Sequence, residues 1–360
     1  MGTDSSLETM IDAAVAEGAV PGAVLMVGIG PEAAPVVAHA AGVTGRPDGS
    51  AMTLDTVFDL ASLTKVTATL PMVLHLARRC EIGLDDPVRR ILPRFPDDRI
   101  TLRQLLSHIS GLPALRPFHE LDTDPAGRWD AVLTTGPEAE PGTVMRYSDV
   151  GFMLLGRVVE TVTGAALDRV AAEVVFEPLG MTDTRYRPPE SWAARCAATE
   201  KSADGVATLG VVHDENAAAL GGVAGHAGLF GTAADLSRYL RAWLDPESPI
   251  PGAALRAEAL RCQTRDAEGQ DGFEARRGLG WTLRGDRWDH MGTLWPAAGA
   301  GHTGFTGTSV AIDPVGGAWV VLLTNAVHFG RGRHGAIALR RQVHDAAVEL
   351  TQRYGSPQWT

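Results

Sequence analysis

The sequence predicts an α/β (α+β) fold, in which an antiparallel sheet is flanked by helices and a mostly helical lobe is inserted into the chain. Strand candidates gather near both ends of the chain, whereas the long middle section has the pattern of helices and loops. Five apolar runs bounded by turn residues are typical of buried strands, and they cover residues 23–29, 35–41, 278–283, 308–312 and 318–324. Because two runs precede the middle section and three follow it, we expect both ends to complete one sheet.

The length of the chain allows this arrangement within one domain. With 360 residues, of which 45% are hydrophobic, the chain can bury a large core. We predict a single domain over residues 1–360. Within it, residues 1–70 and 265–360 would form an α/β lobe, and residues 71–264 would form the helical lobe.

Helical periodicity and capping residues locate the helices. An amphipathic stripe precedes the first strand and ends near Gly18, and Thr101 with Gln104 forms a capping box for a short helix. A further helix follows Ser62, and Pro71 would kink or break it. Longer apolar stripes predict helices over residues 151–162, 232–244 and 335–352.

Composition excludes several classes of partner. The net charge of −11 and the pI of about 5.5 argue against nucleic acid or an anionic membrane as the main partner. No apolar run reaches the roughly 18 residues that a transmembrane helix needs. The first residues have neither the basic nor the apolar segment of a signal peptide, so we expect a cytoplasmic protein.

The cysteines and histidines do not indicate a metal site. Cys80, Cys196 and Cys262 are few, odd in number and far apart, which is unlike a disulfide framework or a zinc site. The histidines lack the His-Glu-x-x-His spacing that places two ligands on one helical face. We therefore expect neither a metal nor a cofactor.

Ser62 and Lys65 are the strongest candidates for catalytic residues. Three positions apart at the start of a helix, the two side chains share one face, so a hydroxyl lies beside an amine that can take its proton. The start of a helix also favours developing negative charge. Among 32 basic residues the chain has only two lysines, Lys65 and Lys201, and an arginine could not act as a base. A helix cap followed by a solvated lysine would have the same pattern.

Two further segments could complete a site with Ser62. Tyr147 lies in Arg146–Asp149, directly before an apolar helix, where its side chain could point into a cleft or simply pack while a neighbour caps the helix. The segment Gly301–Gly307 is rich in small residues, which allow a ligand to approach the backbone closely.

Three elements in this order resemble the serine β-lactamase and penicillin-binding superfamily. They are Ser62–Lys65, Tyr147–Asp149 and His302–Gly304. The most similar branch contains class C β-lactamases, D-alanyl-D-alanine carboxypeptidases and family VIII esterases. Three supporting segments match this branch as well, at residues 105–113, 212–216 and 225–230.

The resemblance implies a β-lactamase/transpeptidase-like fold and an acyl-enzyme mechanism without a cofactor. Ser62 would attack a carbonyl carbon, and Lys65 and Tyr147 would share the proton transfers, with the identity of the general base left open. The backbone N–H groups of Ser62 and Phe305 would form the oxyanion hole. His302, Thr303 and Gly304 would line the far wall of the site on an edge strand.

The sequence departs from the family pattern at two substrate-binding positions. Asp149 replaces the usual asparagine, and a carboxylate there would raise the pKa of Lys65 if it faces the ammonium. Asp149 could equally turn away and cap the next helix. His302 stands where many members have lysine, and a neutral histidine attracts a substrate carboxylate less. Some carboxypeptidases of the family do have histidine at this position.

These departures favour a small-molecule ester or amide as the substrate. The leading hypothesis is an acyl-serine enzyme that passes the acyl group from Ser62 to an amine, an alcohol or water. It would be an esterase or a transacylase of secondary metabolism, of the kind found in capuramycin biosynthesis. The alternatives are a β-lactamase or D-alanyl-D-alanine carboxypeptidase, and a non-catalytic binding protein on the same fold.

Large aromatic side chains are candidates for the wall of the pocket. We predict that Trp295 contacts substrate, and Phe118, Trp281 and Phe305 are further candidates, although core packing explains each of them equally well. The expected partners are an acyl donor and an amine or alcohol acceptor. The sequence predicts no oligomeric state.

Overall fold

A six-stranded sheet formed by the two ends of the chain organises the fold. The computed structural model describes residues 4–32, 34–201, 205–269, 272–332 and 334–353. In chain order the strands are β1 (Gly22–Ile29), β2 (Val37–Gly42), β3 (Phe58–Asp59), β4 (Val144–Met145), β5 (Arg185–Tyr186), β6 (Leu229–Gly231), β7 (Glu268–Gly269), β8 (Thr282–Leu283), β9 (Ala300–Thr303), β10 (Ser309–Ile312) and β11 (Ala318–Thr324). The central sheet has the order β2-β1-β11-β10-β9-β8, with antiparallel neighbours throughout. The pairing of β1 with β11 confirms that both ends of the chain complete one sheet.

Helices cover both faces of this sheet. They are α1 (Asp4–Ala16), α2 (Leu70–Arg78), α3 (Val88–Ile91), α4 (Leu102–Leu106), α5 (Pro125–Leu133), α6 (Asp149–Thr163), α7 (Leu167–Ala171), α8 (Glu215–Ala219), α9 (Ala233–Leu244), α10 (Ala253–Leu260) and α11 (His334–Arg353). Only α1 and α11 come from the ends of the chain. The remaining helices lie between β2 and β8 in sequence, as the predicted inserted lobe requires, and the predicted division into two lobes stays a prediction.

Strand alternation divides the core into two parts. In β1 and β11, successive side chains point to opposite faces of the sheet. Leu25 and Leu322 pack with α1 and α11 on one face, whereas Val24 and Val321 belong to the larger core on the other face. Both strands are almost wholly buried, which explains why each appears in the sequence as a continuous apolar run.

Helix α6 is the central helix of the middle section and is capped at both ends. The Ser148 hydroxyl accepts a hydrogen bond from the backbone N–H of Gly151 at 3.1 Å, and Gly164 ends the helix with φ of +66°. The capping box of Thr101 and Gln104 is present on α4. Local capping chemistry therefore locates these helix ends, and the capping box on α4 is the one that the sequence predicts.

The structure shortens one predicted strand to two residues and locates one predicted break. Of residues 278–283, only Thr282 and Leu283 form a strand, because Gly280 has φ of +75° and the N–H of Gly278 bonds the carbonyl of Trp281 across a turn. The helix after Ser62 does change near Pro71. A π-helical turn, Lys65–Thr69, leads into α2, and Pro71 lies in the first turn of α2, where its missing N–H is tolerated.

The described residues contain no single helix that is both long and apolar enough to cross a membrane. Two successive segments, Asp149–Thr163 and Leu167–Phe176, meet the length and composition criteria only together, and the chain bends by 82° between them. The side chains of α6 that supply this apolar character lie in the protein core.

Candidate active site

A cavity of about 280 Å³ opens beside Ser62. Its lining consists of Ser62, Tyr147, Arg277, Thr282, Trp288, His302, Thr303, Gly304 and Phe305. Six of the residues predicted for the site thus share one cavity, although they come from three distant parts of the chain. Lys65 and Asp149 complete this group through their contacts with Ser62 and with each other.

Ser62 lies in a strained turn at the start of a helical segment. The preceding residue, Ala61, has φ of +48°, a conformation that is costly for any residue with a side chain. The buried Asp59 carboxylate accepts the N–H of Ala61 at 2.8 Å and thereby supports this turn. Ser62 itself is partly exposed, so its hydroxyl remains accessible from the cavity.

The ammonium of Lys65 is fully buried among three oxygen atoms. Its Nζ lies 2.9 Å from Ser62 Oγ, 3.0 Å from the carbonyl oxygen of His226 and 2.7 Å from Asp149 Oδ1. Burial by itself would lower the pKa of Lys65, but the charges of Asp149 and Tyr147 outweigh it and raise that pKa. The structure therefore favours a charged Lys65 in the resting site.

Asp149 faces Lys65 and does not cap the following helix. The capping role belongs to Ser148, whose hydroxyl accepts the N–H of Gly151. The Asp149 side chain is about one-fifth exposed and forms the 2.7 Å ion pair with Lys65. Of the two orientations that the sequence leaves open, this is the one that raises the pKa of Lys65.

We expect Asp149→Asn to move the pH dependence of the reaction. Removing the carboxylate removes the nearest charge that stabilises the ammonium, so the pKa of Lys65 falls. The limb of the kcat/KM profile that reports Lys65 should then shift to lower pH for an uncharged ester. Asp130→Asn, which removes a carboxylate paired with Arg94, is the control and should leave that limb in place. If the limb does not move in Asp149→Asn, the ion pair does not raise the pKa of Lys65.

Tyr147 is held beside Lys65 by a histidine that sequence analysis did not select. The Tyr147 ring centroid lies 5.0 Å from Lys65 Nζ and 4.5 Å from the centroid of His108. His108 Nδ1 accepts the backbone N–H of Ser148 at 3.0 Å, which anchors the residue after Tyr147. Burial, followed by the charges of Arg277 and Lys65, lowers the pKa of His108 well below its usual value, so it stays neutral. The sequence did contain one indication of this role, because His108 lies in the segment 105–113 that matches the family branch.

The far wall of the cavity is attached to the strand that precedes Ser62. A side chain at Gly304 would place its Cβ 2.1 Å from Thr308 Oγ1 and 2.5 Å from the carbonyl oxygen of Leu60, so only glycine fits. The Thr306 hydroxyl donates to the carbonyl of Asp59 at 2.8 Å, and the Thr308 hydroxyl donates to that of Leu60 at 3.2 Å. These contacts bring the turn after β9 against β3.

His302 lines this wall as a neutral side chain. Its Nδ1 lies 2.9 Å from the carbonyl oxygen of Thr303, and because a carbonyl only accepts, Nδ1 carries the proton. Burial, together with the charges of Lys65 and Arg277, lowers the pKa of His302 well below its usual value. The prediction that His302 and Thr303 lie on an edge strand is wrong, because β8 forms the edge of the sheet and β9 lies between β8 and β10. Strand β8 pairs only with Ala300 and Gly301 and does not reach His302 and Thr303.

Arg277 is a cavity residue that sequence analysis missed. Its guanidinium is buried, pairs with Asp286 at 3.0 and 3.2 Å, and donates to the Thr282 hydroxyl at 2.7 Å. It also lies 5.9 Å from the centroid of Tyr147. An arginine directly before the apolar run 278–283 was the only hint in the sequence. Because Asp286 neutralises it, Arg277 adds little net charge to the cavity.

The prediction that Trp295 contacts substrate does not agree with the structure. Trp295 is 3% exposed and packs in the core between the sheet and helices α1 and α11. Its Nε1 donates to the carbonyl of Ile312 at 3.4 Å. Phe118 and Trp281 are also core residues, so of the four candidates only Phe305 lines the cavity, and the exposed Trp288 joins it. The burial of apolar surface explains why these predicted cavity residues lie in the core, because a large aromatic ring stabilises the fold most when it is removed from water.

Comparison with known proteins identifies the family. The β-lactamase family model matches residues 7–345. The chain belongs to the β-lactamase family. Members of this superfamily are serine hydrolases and acyltransferases, which agrees with Ser62 and Lys65 at the cavity. A relative named putative D-alanyl-D-alanine carboxypeptidase, from Escherichia coli K12, is 34% identical over 331 residues, covering 80% of this chain and 74% of the relative.

Two solved structures share the β-lactamase fold with this chain. EstCE1, described as a hydrolase with promiscuous acyltransferase activity, matches this chain with a TM-score of 0.75 and 24% identity. The match covers 95% of this chain and 99% of EstCE1. Simvastatin synthase (LovD) from Aspergillus terreus has a TM-score of 0.79 and 21% identity and covers 99% of both chains. At these identities the similarity shows the fold, and the fold class predicted from the sequence is confirmed.

Proposed function

We propose that this β-lactamase family protein is a serine acyl-enzyme that acts on a small-molecule ester or amide. Ser62 would attack the carbonyl carbon in the form of the site in which Lys65 or Tyr147 is deprotonated, and the Ser62 proton would pass to that group. As the acyl-enzyme forms, the bond to the alcohol or amine breaks, and the proton would pass on to this leaving group. The acyl group would then go to an amine, an alcohol or water. The observation that carries the proposal is the 2.9 Å contact between Lys65 Nζ and Ser62 Oγ at the wall of the cavity.

The charges around the cavity support an uncharged ester or amide. His302 is neutral, Arg277 is paired with Asp286, and Asp149 carries a negative charge beside Lys65. A carboxylate on the substrate would therefore meet no unpaired cation among these residues and would be repelled by Asp149. Penicillins and peptides that end in D-alanine both carry such a carboxylate. This combination of charges supports the leading hypothesis, an esterase or a transacylase.

A D-alanyl-D-alanine carboxypeptidase is the second candidate. The Escherichia coli relative bears that name, and it is the 34% identity over most of this chain that favours this alternative. The description of EstCE1 as a hydrolase with promiscuous acyltransferase activity supports acyl transfer on the same fold instead. The acyl acceptor and a cytoplasmic location remain parts of the proposal that rest on the sequence.

Product analysis with a competing acceptor tests the proposal. The purified protein is incubated with p-nitrophenyl acetate alone, with n-butylamine or with n-butanol, and in parallel with a peptide ending in D-alanyl-D-alanine. We expect hydrolysis of the ester that depends on Ser62. If the site passes the acyl group to an acceptor, N-butylacetamide or butyl acetate should form faster than with Ser62→Ala, which measures the direct reaction of the acceptor with the ester. If acetic acid is the product with every acceptor, the protein is an esterase and the transacylase alternative is excluded. Release of D-alanine without ester turnover would contradict the proposal and support the carboxypeptidase.

A further inference from the structure

One buried carboxylate joins the chain segments that carry both predicted oxyanion donors. Asp59, at the end of β3, is 2% exposed. Its Oδ1 accepts the N–H of Ala61 at 2.8 Å, and its Oδ2 accepts the N–H of His213 at 2.7 Å. Ala61 directly precedes Ser62, so the first contact supports the strained turn that orients the Ser62 N–H.

The second contact leads to Phe305, the residue predicted to supply the other donor. The His213 ring stacks on the Phe305 ring, with centroids 5.6 Å apart and planes 18° apart. Arg331 lies 6.0 Å from the centroid of Phe305 and helps to enclose it. The next residue, Thr306, donates its hydroxyl to the backbone carbonyl of Asp59 at 2.8 Å. The Phe305 segment is thus connected to Asp59 by two routes.

We infer that Asp59 is a positioning residue that aligns the two backbone donors of the oxyanion hole, through Ala61 on one side and His213 on the other. The inference rests on the proposed function. Asp59 does not line the cavity, so it would act without touching substrate. Oxyanion donors act only within a narrow distance of the developing charge, and a misplacement of about 1 Å costs on the order of 100-fold in rate. A single side chain that sets both donors therefore has a large effect on the acylation rate.

Protonation of Asp59 would weaken this arrangement. Burial raises the pKa of Asp59 to about 6, despite the N–H groups of His213 and Ala61, which lower it. The charged and titratable groups that face Asp59 are His213, Asp214 and Cys196. A protonated carboxyl has one oxygen that donates, so it can no longer accept both backbone N–H groups equally. The acylation rate should accordingly fall more steeply with decreasing pH below about 6 than the protonation of Lys65 alone would cause.

The test compares Asp59→Asn with a matched buried aspartate. Asparagine keeps the shape of the side chain but presents an NH₂ group to one of the two N–H donors. Asp235→Asn is the control, because Asp235 is 1% exposed and accepts the N–H of Asp183 at 2.8 Å and the Thr184 hydroxyl at 2.9 Å. The probe is a p-nitrophenyl alkylphosphonate, which forms a tetrahedral adduct on a serine nucleophile, and intact-mass spectrometry follows the labelling of Ser62.

We expect Asp59→Asn to be labelled about 10-fold or more slowly than wild type and to lose the additional fall in rate below pH 6, while the pH dependence that comes from Lys65 stays. Asp235→Asn should be labelled at the wild-type rate when corrected for its folded fraction. Equal labelling of Asp59→Asn and wild type would overturn the inference. It would also be overturned if the slower labelling merely follows the folded fraction measured by thermal unfolding. Absence of labelling in wild type would instead overturn the proposed function, and with it the role of Asp59.

Discussion

Ser62→Ala is expected to abolish acylation of the protein and to reduce ester turnover about 1000-fold or more, as removal of a serine nucleophile does in other acyl-serine enzymes. Ser62 Oγ accepts a hydrogen bond from Lys65 and lines the cavity, so the variant loses the hydroxyl that lies beside the buried amine. With an activated ester, intact-mass spectrometry should show the added acyl mass in wild type and no added mass in the variant.

Ser237→Ala is the matched control for this experiment. Ser237 is a buried serine of α9 whose hydroxyl donates to the carbonyl of Ala234 at 2.7 Å. Its removal deletes one hydroxyl and one hydrogen bond without touching the cavity lining, so the acyl mass should still appear. Turnover of the ester by Ser62→Ala at the wild-type rate would refute the acyl-serine mechanism and leave only the fold in common with the family.

Replacement of Lys65 is expected to have the second largest effect. Lys65→Met removes the group that contacts Ser62 Oγ, and loss of a general acid–base partner typically lowers kcat by about 10²- to 10⁴-fold. Lys65→Arg should be similarly slow, because arginine keeps the charge but cannot give up its proton. The measurement is the rate of ester hydrolysis for both variants over a range of pH.

The chain offers a direct control for Lys65, since Lys201 is its other lysine and is exposed. Lys201→Met should hydrolyse the ester at the wild-type rate. A combined Lys65→Met and Asp149→Asn variant removes the carboxylate that Lys65→Met would leave without its ion pair. If the combined variant regains stability but not activity, the loss in Lys65→Met is catalytic. Full activity of Lys65→Arg would show that only the charge of Lys65 matters.

Local patterns were sufficient to predict much of the site. Ser62 and Lys65 lie three residues apart on one helical turn, so their contact needs no information from elsewhere in the chain. The same holds for the capping box of Thr101 and the end of α6 at Gly164. The family order of motifs then placed Tyr147 and His302 in the same cavity, where the structure finds them.

Other features of the site depend on contacts between distant segments. The orientation of Asp149 follows from Ser148 taking the capping role and from Lys65 lying opposite α6. Trp295 could not be assigned to core or cavity until the sheet and α11 were in place around it. Asp59 has no recognisable pattern of its own, and its partner His213 lies far along the chain.

The order of short motifs in the sequence identified the family, and the sequence by itself also determined the spacing of Ser62 and Lys65 and the strands that the two chain ends contribute to one sheet. These features are encoded in periodicity and in short spacings, because neighbouring residues on one helix or strand have a set geometry. The tertiary structure alone decided which charges face each other, namely Asp149 with Lys65 and Arg277 with Asp286. The physical reason is that burial and long-range packing, which set those distances and the pKa of Lys65, arise only when separate segments share one core.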